Sequence, residues 1–132
     1  MSFWKRLFGI CRTRPPADAA CWRLEGGDVN LDLVRAPELA APGGAVRLEG
    51  GGLPERVLVV HGADGGYHAF ANRCTHGKRR LDPEPGQPRV RCCSVGRSLF
   101  DYEGRVLEGP GDGPLTVYKV VHEDGRLRIE LD

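Results

Sequence analysis

The amino-acid sequence predicts an all-β protein built as an antiparallel β-sandwich. Its 132 residues include 19 glycines and 10 prolines but a single methionine, and such a chain makes many turns, which favours short strands over long helices. Several runs are rich in β-branched residues or alternate between apolar and polar residues, as strands do. Pairs of these runs are separated by short glycine-containing segments, which is typical of β-hairpins.

The first part of the chain contains two strand patterns and one clear hairpin. Residues 29–34 and 45–48 are extended patterns, with a Pro-Gly-Gly turn between them. Residues 56–61 form a dense β-branched run that a glycine-rich turn joins to residues 67–71. This hairpin leads the chain directly to Cys74.

The last part of the chain repeats the hairpin pattern, since residues 115–122 and 126–131 flank a Glu-Asp-Gly turn. The length is that of one ordinary globular domain, which can bury a core. The formal net charge is +1, and nucleic-acid binding would need a clustered basic excess. A nucleic-acid partner is therefore not expected.

The amino-terminal segment, residues 1–20, is expected to be separate from the domain at residues 21–132. Its apolar residues recur at helical spacing until two prolines stop any helix, and they are Phe3, Trp4, Leu7, Phe8 and Cys11. Two interpretations remain open. Either residues 3–12 make a weak contact with a membrane surface or a partner, or the segment packs against the domain.

The same segment bears on where the protein resides. It is too short and too often interrupted to span a membrane, and it lacks the cleavage site of a secretory signal. A cytoplasmic location is therefore expected, with peripheral membrane contact as the alternative.

Four residues of two loops carry the main chemistry of the sequence. Cys74 and His76 stand two residues apart in the first loop, and Cys92 and Cys93 follow in the second. Thiolates and an imidazole brought together from two loops are the donors of a soft metal site. The total of five cysteines is odd, which excludes a fully paired disulfide scaffold and favours a reducing compartment.

Outside these loops the sequence offers little chemistry. There is no Ser-His-Asp order, phosphate-binding glycine loop or paired-carboxylate motif, so an electron-transfer component is expected rather than a catalyst. His61, His68 and His122 lie in strand patterns and are expected to be ordinary sheet residues. Cys11 and Cys21 are expected to be free thiols, with a mutual disulfide or a small extra site as the alternatives.

Several short motifs follow one another in a fixed order between about residue 30 and residue 131. The first loop contains Cys74-Thr75-His76 and Leu81, residues 100–104 follow the second loop, and Gly109-Pro110 forms a later turn. This order resembles that of Rieske-type [2Fe-2S] domains. The resemblance implies a Rieske-like antiparallel β-sandwich with a small two-loop cluster-binding subdomain, its loops lying at about residues 72–101.

In that family each loop supplies one cysteine and one histidine, so that two cysteines bind one iron and two histidines the other. The second loop of this chain has no histidine. If Cys92 is the cluster cysteine, Val95 takes the place of the histidine, but Phe100 then lies one residue further from the cysteine than in the family. If Cys93 is the cluster cysteine, Phe100 has the family's spacing from it and Gly96 takes the place of the histidine. The spacing to the Phe-Asp pair therefore favours Cys93.

Three interpretations of this gap remain open. In the first, a [2Fe-2S] cluster binds through Cys74, His76, Cys93 and a substitute donor, Cys92, although adjacent residues of a strand point to opposite faces. In the second, the domain has lost its cluster and serves as a structural or partner-binding module. In the third, the same residues bind zinc, which accepts three cysteines and one histidine. The first implies a one-electron carrier or small accessory subunit whose redox partner protein docks at the two loops.

Overall fold

The computed structural model describes residues 11–75, 79–93, 98–109 and 113–132. The protein is all-β, as the sequence predicted, and the helical segments in these ranges are 3-10 turns at Ala19–Cys21, Leu33–Arg35 and Pro37–Leu39. Within the same ranges, no helix has the length and apolar character needed to cross a membrane. The strands are β1 (Trp22–Glu25), β2 (Asp28–Asp32), β3 (Ala45–Leu48), β4 (Val57–His61), β5 (Tyr67–Ala71), β6 (Leu81–Pro83), β7 (Arg89–Cys92), β8 (Leu99–Asp101), β9 (Val106–Glu108), β10 (Val117–Glu123) and β11 (Arg126–Glu130).

The strands form two antiparallel sheets. The larger has seven strands in the order β1-β2-β11-β10-β5-β4-β3, and the smaller has four in the order β6-β7-β8-β9. The two predicted hairpins are confirmed, because β4 pairs with β5 and β10 pairs with β11. The cysteine-bearing loops join β5 to β6 and β7 to β8. The smaller sheet therefore carries the predicted two-loop subdomain.

The first two strands differ from those that the sequence pattern predicted. β2 ends at Asp32 rather than at Val34, because the Asp32 carboxylate accepts a hydrogen bond from the Val34 backbone N–H (3.0 Å) and caps a 3-10 turn. The pattern also did not predict β1, whose four residues include no β-branched side chain. β1 forms because it pairs along its full length with β2.

Strand β4 lies between two hydrophobic cores. Val57 and Val59 belong to the first core, built mainly from the seven-stranded sheet, whereas Leu58 and Val60 belong to the second. All four side chains are fully buried. Because successive residues of a strand point to opposite faces, a strand that is buried on both faces reads as a continuous apolar run, and this explains the dense pattern of residues 56–61.

The second core joins the two sheets and includes two of the cysteines. Each large apolar side chain buried there contributes about 1.5–3 kcal/mol to stability. The members of this core are Leu58, Val60, Phe70, Cys74, Leu81, Val90, Cys92, Phe100 and Leu115. The packing of this core therefore sets where the cysteine loops lie relative to the larger sheet.

Candidate cluster-binding site

The first loop, between β5 and β6, is closed at its base by hydrogen bonds from backbone N–H groups. The Cys74 N–H donates to the carbonyl of Arg79 (2.7 Å), and the Leu81 N–H donates to Oδ1 of Asn72 (2.7 Å). Asn72 is fully buried, and its own N–H donates to the carbonyl of Arg56 (2.8 Å). Buried backbone groups need such partners, so these bonds hold Cys74 in a fixed position.

The second loop, between β7 and β8, starts beside the first. The Cys93 N–H donates to the carbonyl of Arg80 (3.0 Å), while Cys74 is bonded to the carbonyl of the preceding residue, Arg79. The backbones of the two cysteines are thus held to consecutive residues of one short segment. Each cysteine is 1% exposed. Cys74 and Cys93 are therefore both buried, at the bases of two adjoining loops.

Cys92 and Cys93 point to opposite faces of the smaller sheet. The Cys92 side chain lies in the second core, which also contains Cys74. The Cys93 sulfur lies on the other side, with Asp82 and Cys11. This is the alternation expected of adjacent strand residues. Binding of one metal ion by both Cys92 and Cys93 would therefore require the end of β7 to distort.

Cys93 forms a disulfide with Cys11, at the start of the N-terminal arm, which we define as residues 11–18. The two Cα atoms are 5.3 Å apart, although the residues are 82 positions apart in the chain. The expectation that Cys11 is a free thiol or pairs with Cys21 is wrong, because the fold carries the arm across to the smaller sheet. Cys21 is a buried free thiol, and burial raises its pKa to about 11.

Asp82 anchors the N-terminal arm beside this disulfide. Its Oδ2 accepts a hydrogen bond from the Arg12 N–H (2.8 Å), and its Oδ1 accepts one from the Thr13 N–H (2.9 Å). Asp82 is 2% exposed, so these charge-assisted bonds are shielded from water. In the part of the chain that the structure describes, one group of three potential metal ligands lies within 4.8 Å of one another, namely Cys11, Asp82 and Cys93.

Other predicted site residues lie outside the described residues. They include His76, the alternative histidine places Val95 and Gly96, and the first ten residues of the N-terminal segment. The ligand assignment to Cys74, His76, Cys93 and Cys92 stays a prediction, as does the domain boundary after residue 20. The sequence missed Cys11 and Asp82 as neighbours of the site. Cys11 precedes the region of family resemblance, and no local pattern signals its approach to Cys93.

The histidines of the larger sheet have local partners. The Nδ1 atom of His61 lies 2.9 Å from the carbonyl oxygen of Leu39, and the Nε2 atom of His68 lies 2.9 Å from a carboxylate oxygen of Asp64. The His68 ring also stacks on Tyr102, with ring centroids 4.1 Å apart. These contacts support the interpretation of both residues as sheet histidines.

A fork of two hydrogen bonds ties the first loop to Glu49, the residue that follows β3 of the larger sheet. The guanidinium of Arg80 donates from Nε to Oε2 of Glu49 (2.5 Å) and from Nη2 to Oε1 (3.0 Å). Such bidentate pairs are the stronger kind of ion pair. The hydrogen bonds from Arg80 hold the pKa of Glu49 below its ordinary value. Because the carbonyl of Arg80 also accepts from Cys93, this fork positions both loops.

Replacing Glu49 with glutamine is expected to reduce the acid sensitivity of the fold. Because the pKa of Glu49 is lowered in the folded state, its charge stabilises the fold above the unfolded pKa of about 4.3, and this contribution is lost as the pH falls through the folded pKa. Urea unfolding at pH 7 and pH 3 should show a smaller loss of stability in Glu49→Gln than in the wild type. The exposed Glu108 provides the control, Glu108→Gln. Equal losses in the wild type and Glu49→Gln would contradict the prediction.

Two loops with buried cysteines lie beside a small antiparallel sheet that packs on a larger one, which is the arrangement that the sequence predicted. Residues 32–119, well over half of the chain, match the model of the Rieske [2Fe-2S] domain. The chain belongs to this family, which confirms the resemblance seen in the sequence.

Relatives of known identity include an oxygenase subunit and a ferredoxin. The chain is 37% identical over 71 residues to the oxygenase subunit of glycine betaine monooxygenase from Pseudomonas aeruginosa, and the match covers 53% of this chain but 16% of that protein. The ferredoxin of carbazole 1,9a-dioxygenase from Nocardioides aromaticivorans has a similar structure, with a TM-score of 0.61 and 21% identity over 76% of this chain and 93% of that one.

Two further structures share the fold. The complex of reduced oxygenase and oxidized ferredoxin in carbazole 1,9a-dioxygenase contains a chain with a TM-score of 0.65 and 19% identity, covering 80% of this chain and 94% of that one. A quaternary ammonium Rieske monooxygenase in complex with L-carnitine has a TM-score of 0.58 and 18% identity, covering 84% of this chain and 32% of that one. At these identities the likeness concerns the fold alone.

The family implies a [2Fe-2S] cluster, and the donor set of this chain suits one with altered ligation. Cys74 and Cys93 are buried cysteines of the two loops, and Cys93 becomes available as a thiolate once its disulfide with Cys11 is reduced. Thiolates are the usual ligands of iron–sulfur clusters. His76 adds one imidazole in the first loop, whereas the second loop adds none. The residues therefore fit a cluster in which a thiolate replaces one of the two histidines.

Proposed function

We propose that this domain is a one-electron carrier or a small accessory subunit of a redox enzyme, with a [2Fe-2S] cluster held by Cys74, His76, Cys93 and a fourth donor. The sequence predicted Cys92 as that donor, which would require the end of β7 to distort. One observation carries the proposal: Cys74 and Cys93 are both buried and are hydrogen-bonded to the consecutive carbonyls of Arg79 and Arg80. When bound, the cluster supplies one-electron redox chemistry.

The protein residues around the loops position the donors and exclude water. Asn72 fixes both ends of the first loop through its side chain and its backbone N–H. The fork between Arg80 and Glu49 keeps that loop against the larger sheet. His76 binds as a neutral imidazole, with its other ring nitrogen left to a hydrogen bond.

The altered ligation predicts the direction of the reduction potential. Family members with two histidines lie at about −150 to +300 mV, whereas all-cysteine plant-type ferredoxins lie near −400 mV. A thiolate in place of a neutral imidazole adds negative charge to the site, which favours the oxidised form. The potential is therefore expected to fall below the range of sites with two histidines.

The partner is proposed to be a redox protein that docks at the two loops. The structural likeness to a chain of an oxygenase–ferredoxin complex supports this proposal. Two arginines near the loops have acidic partners, since Arg80 is paired with Glu49 and Arg89 with Glu84.

A cytoplasmic location is part of the same proposal, because a reducing compartment keeps cysteine donors available as thiolates. Membrane-surface contact through residues 3–12 stays a prediction. Partitioning of the protein onto anionic liposomes would test this contact, and equal partitioning of a chain that starts at Ala17 would remove it.

Replacing His76 with alanine is expected to abolish or strongly destabilise the cluster, because an imidazole ligand is lost. Anaerobically reconstituted wild type should be brown and contain iron and sulfide in near-equal amounts, and His76→Ala should be largely colourless. The exposed His122 supplies the control variant His122→Ala, which should retain the colour. Unchanged visible absorption in His76→Ala would refute the ligand assignment.

The same experiment tests the proposed function as a whole. A wild type that stays folded but binds neither iron nor sulfide after anaerobic reconstitution would favour the cluster-free module. Zinc without sulfide would favour the zinc site. Circular dichroism confirms that each sample is folded.

A further inference from the structure

The N-terminal arm places a cysteine, Cys11, beside the second loop, which lacks the family's histidine. Cys11 lies far outside the two loops in sequence, yet its sulfur is bonded to that of Cys93, the cysteine of the second loop that the spacing favours. The disulfide is not the arm's only attachment at this position. Asp82, in the strand beside β7, binds the backbone N–H groups of Arg12 and Thr13 at 2.8 and 2.9 Å. The two residues that follow Cys11 are thus independently fixed.

Cys92 does not lie beside Cys93. Its side chain is in the second core with Cys74, on the face of β7 opposite to Cys93. By contrast, the sulfur of Cys11 already lies on the Cys93 side, and both sulfurs lie within 4.8 Å of a carboxylate oxygen of Asp82. Each oxygen of Asp82 already accepts a backbone N–H, so Asp82 acts as a positioning residue that holds the arm.

We infer that Cys11 supplies the fourth protein ligand of the cluster, in place of the histidine missing from the second loop. The inference rests on the proposed function, because it names a ligand of the same site. The ligand set is then Cys74 and His76 from the first loop, Cys93 from the second, and Cys11 from the N-terminal arm. Binding of a cluster by Cys11 and Cys93 requires that the disulfide between them be reduced first.

This assignment makes cluster loading dependent on thiol redox state. In the disulfide, neither sulfur is a thiolate that can bind iron. A dithiol reductant transfers two electrons and two protons, the S–S bond breaks, two thiols form, and the reductant becomes a disulfide itself. Each thiol then loses its proton when it binds iron. A small-molecule disulfide reverses this exchange: it takes two electrons and two protons from the two thiols of the cluster-free protein, the bond between Cys11 and Cys93 forms again, and the oxidant becomes two thiols.

The first test compares cysteine variants after anaerobic reconstitution with dithiothreitol, ferrous iron and sulfide. Cys11→Ala is expected to lose most of the bound iron and sulfide, and Cys11→Ser to show a shifted visible spectrum and shifted electron paramagnetic resonance signals. The matched control is Cys21→Ala, since Cys21 is a buried thiol in the other core. Its iron and sulfide content and its spectra should equal those of the wild type.

The second test uses the wild type and so does not depend on the folding of a variant. Iodoacetamide labelling followed by mass spectrometry should modify Cys11 in the reduced, cluster-free protein and leave it unmodified in the reconstituted protein. Without a reductant, the cluster-free protein should show Cys11 and Cys93 joined in one disulfide-linked peptide. Equal labelling of Cys11 with and without the cluster would overturn the inference.

The outcomes separate this inference from the proposed function. A wild type that binds iron and sulfide while Cys11→Ala binds them equally well, with an unchanged spectrum, overturns the assignment of Cys11 alone. Loss of the cluster in Cys92→Ser but not in Cys11→Ala overturns it in favour of Cys92. A wild type that binds neither iron nor sulfide overturns both the proposed function and this inference.

Discussion

Replacing Phe100 with alanine is expected to lower the free energy of unfolding by about 3–5 kcal/mol. Phe100 is fully buried in β8 and belongs to the second core, which joins the two sheets. The core contains Phe70 from the larger sheet and Leu81 from the smaller one. Removing the ring loses the free energy gained by burying it away from water, and it leaves a cavity that the surrounding strands cannot fully close. The loss should therefore loosen the attachment of the subdomain that carries both cysteine loops.

Equilibrium unfolding in urea, followed by circular dichroism, measures this effect. Leu107→Ala serves as the control, since Leu107 lies in the adjacent strand β9 but is 51% exposed, and surface changes of this kind usually stay within about 0.5 kcal/mol. A loss below about 1 kcal/mol in Phe100→Ala would be too small for a side chain packed as described. The cluster content of the variant should fall together with its stability.

Replacing Gly104 with alanine is expected to cost about 2–5 kcal/mol, as the sum of about 1–2 kcal/mol for a left-handed backbone and about 1–3 kcal/mol for an overpacked contact. Gly104 has a φ of +86°, and a Cβ atom there would overlap the carbonyl oxygen of Leu115. The Gly104 carbonyl also accepts a hydrogen bond from the Leu115 N–H (2.7 Å). The clash is with backbone, so relief requires the segment before β10 to move.

Gly86→Ala is the matched control for this prediction. Gly86 has a φ of +73°, but nothing lies within 4 Å of a Cβ atom built there. The free energy of unfolding of Gly86→Ala should therefore fall only by the cost of the left-handed backbone, about 1–2 kcal/mol. The difference between the two urea midpoints isolates the contact with Leu115. Equal destabilisation by both substitutions would show that the contact contributes nothing.

Much of the fold follows from local pattern. The β-branched run at residues 56–61 and the Glu-Asp-Gly turn before residue 126 were sufficient to predict the hairpins β4–β5 and β10–β11, because period-2 patterning and turn chemistry act over a few residues. β1 could not be predicted in this way. Apart from Trp22, its residues have little intrinsic strand preference, and it depends on pairing with β2.

The sequence by itself determined the family of this protein, through the spacing of Cys74, His76 and the Phe-Asp pair at residues 100–101, and it revealed the missing histidine of the second loop. It also predicted that Cys92 and Cys93 project apart, since that follows from strand geometry alone.

Only the tertiary structure decided which cysteine sulfurs lie next to each other. Cys11 and Cys93 are brought together across 82 positions of the chain, and Asp82 holds the arm that carries Cys11. The physical reason is that such a contact depends on how distant segments pack, and no local propensity or spacing encodes it.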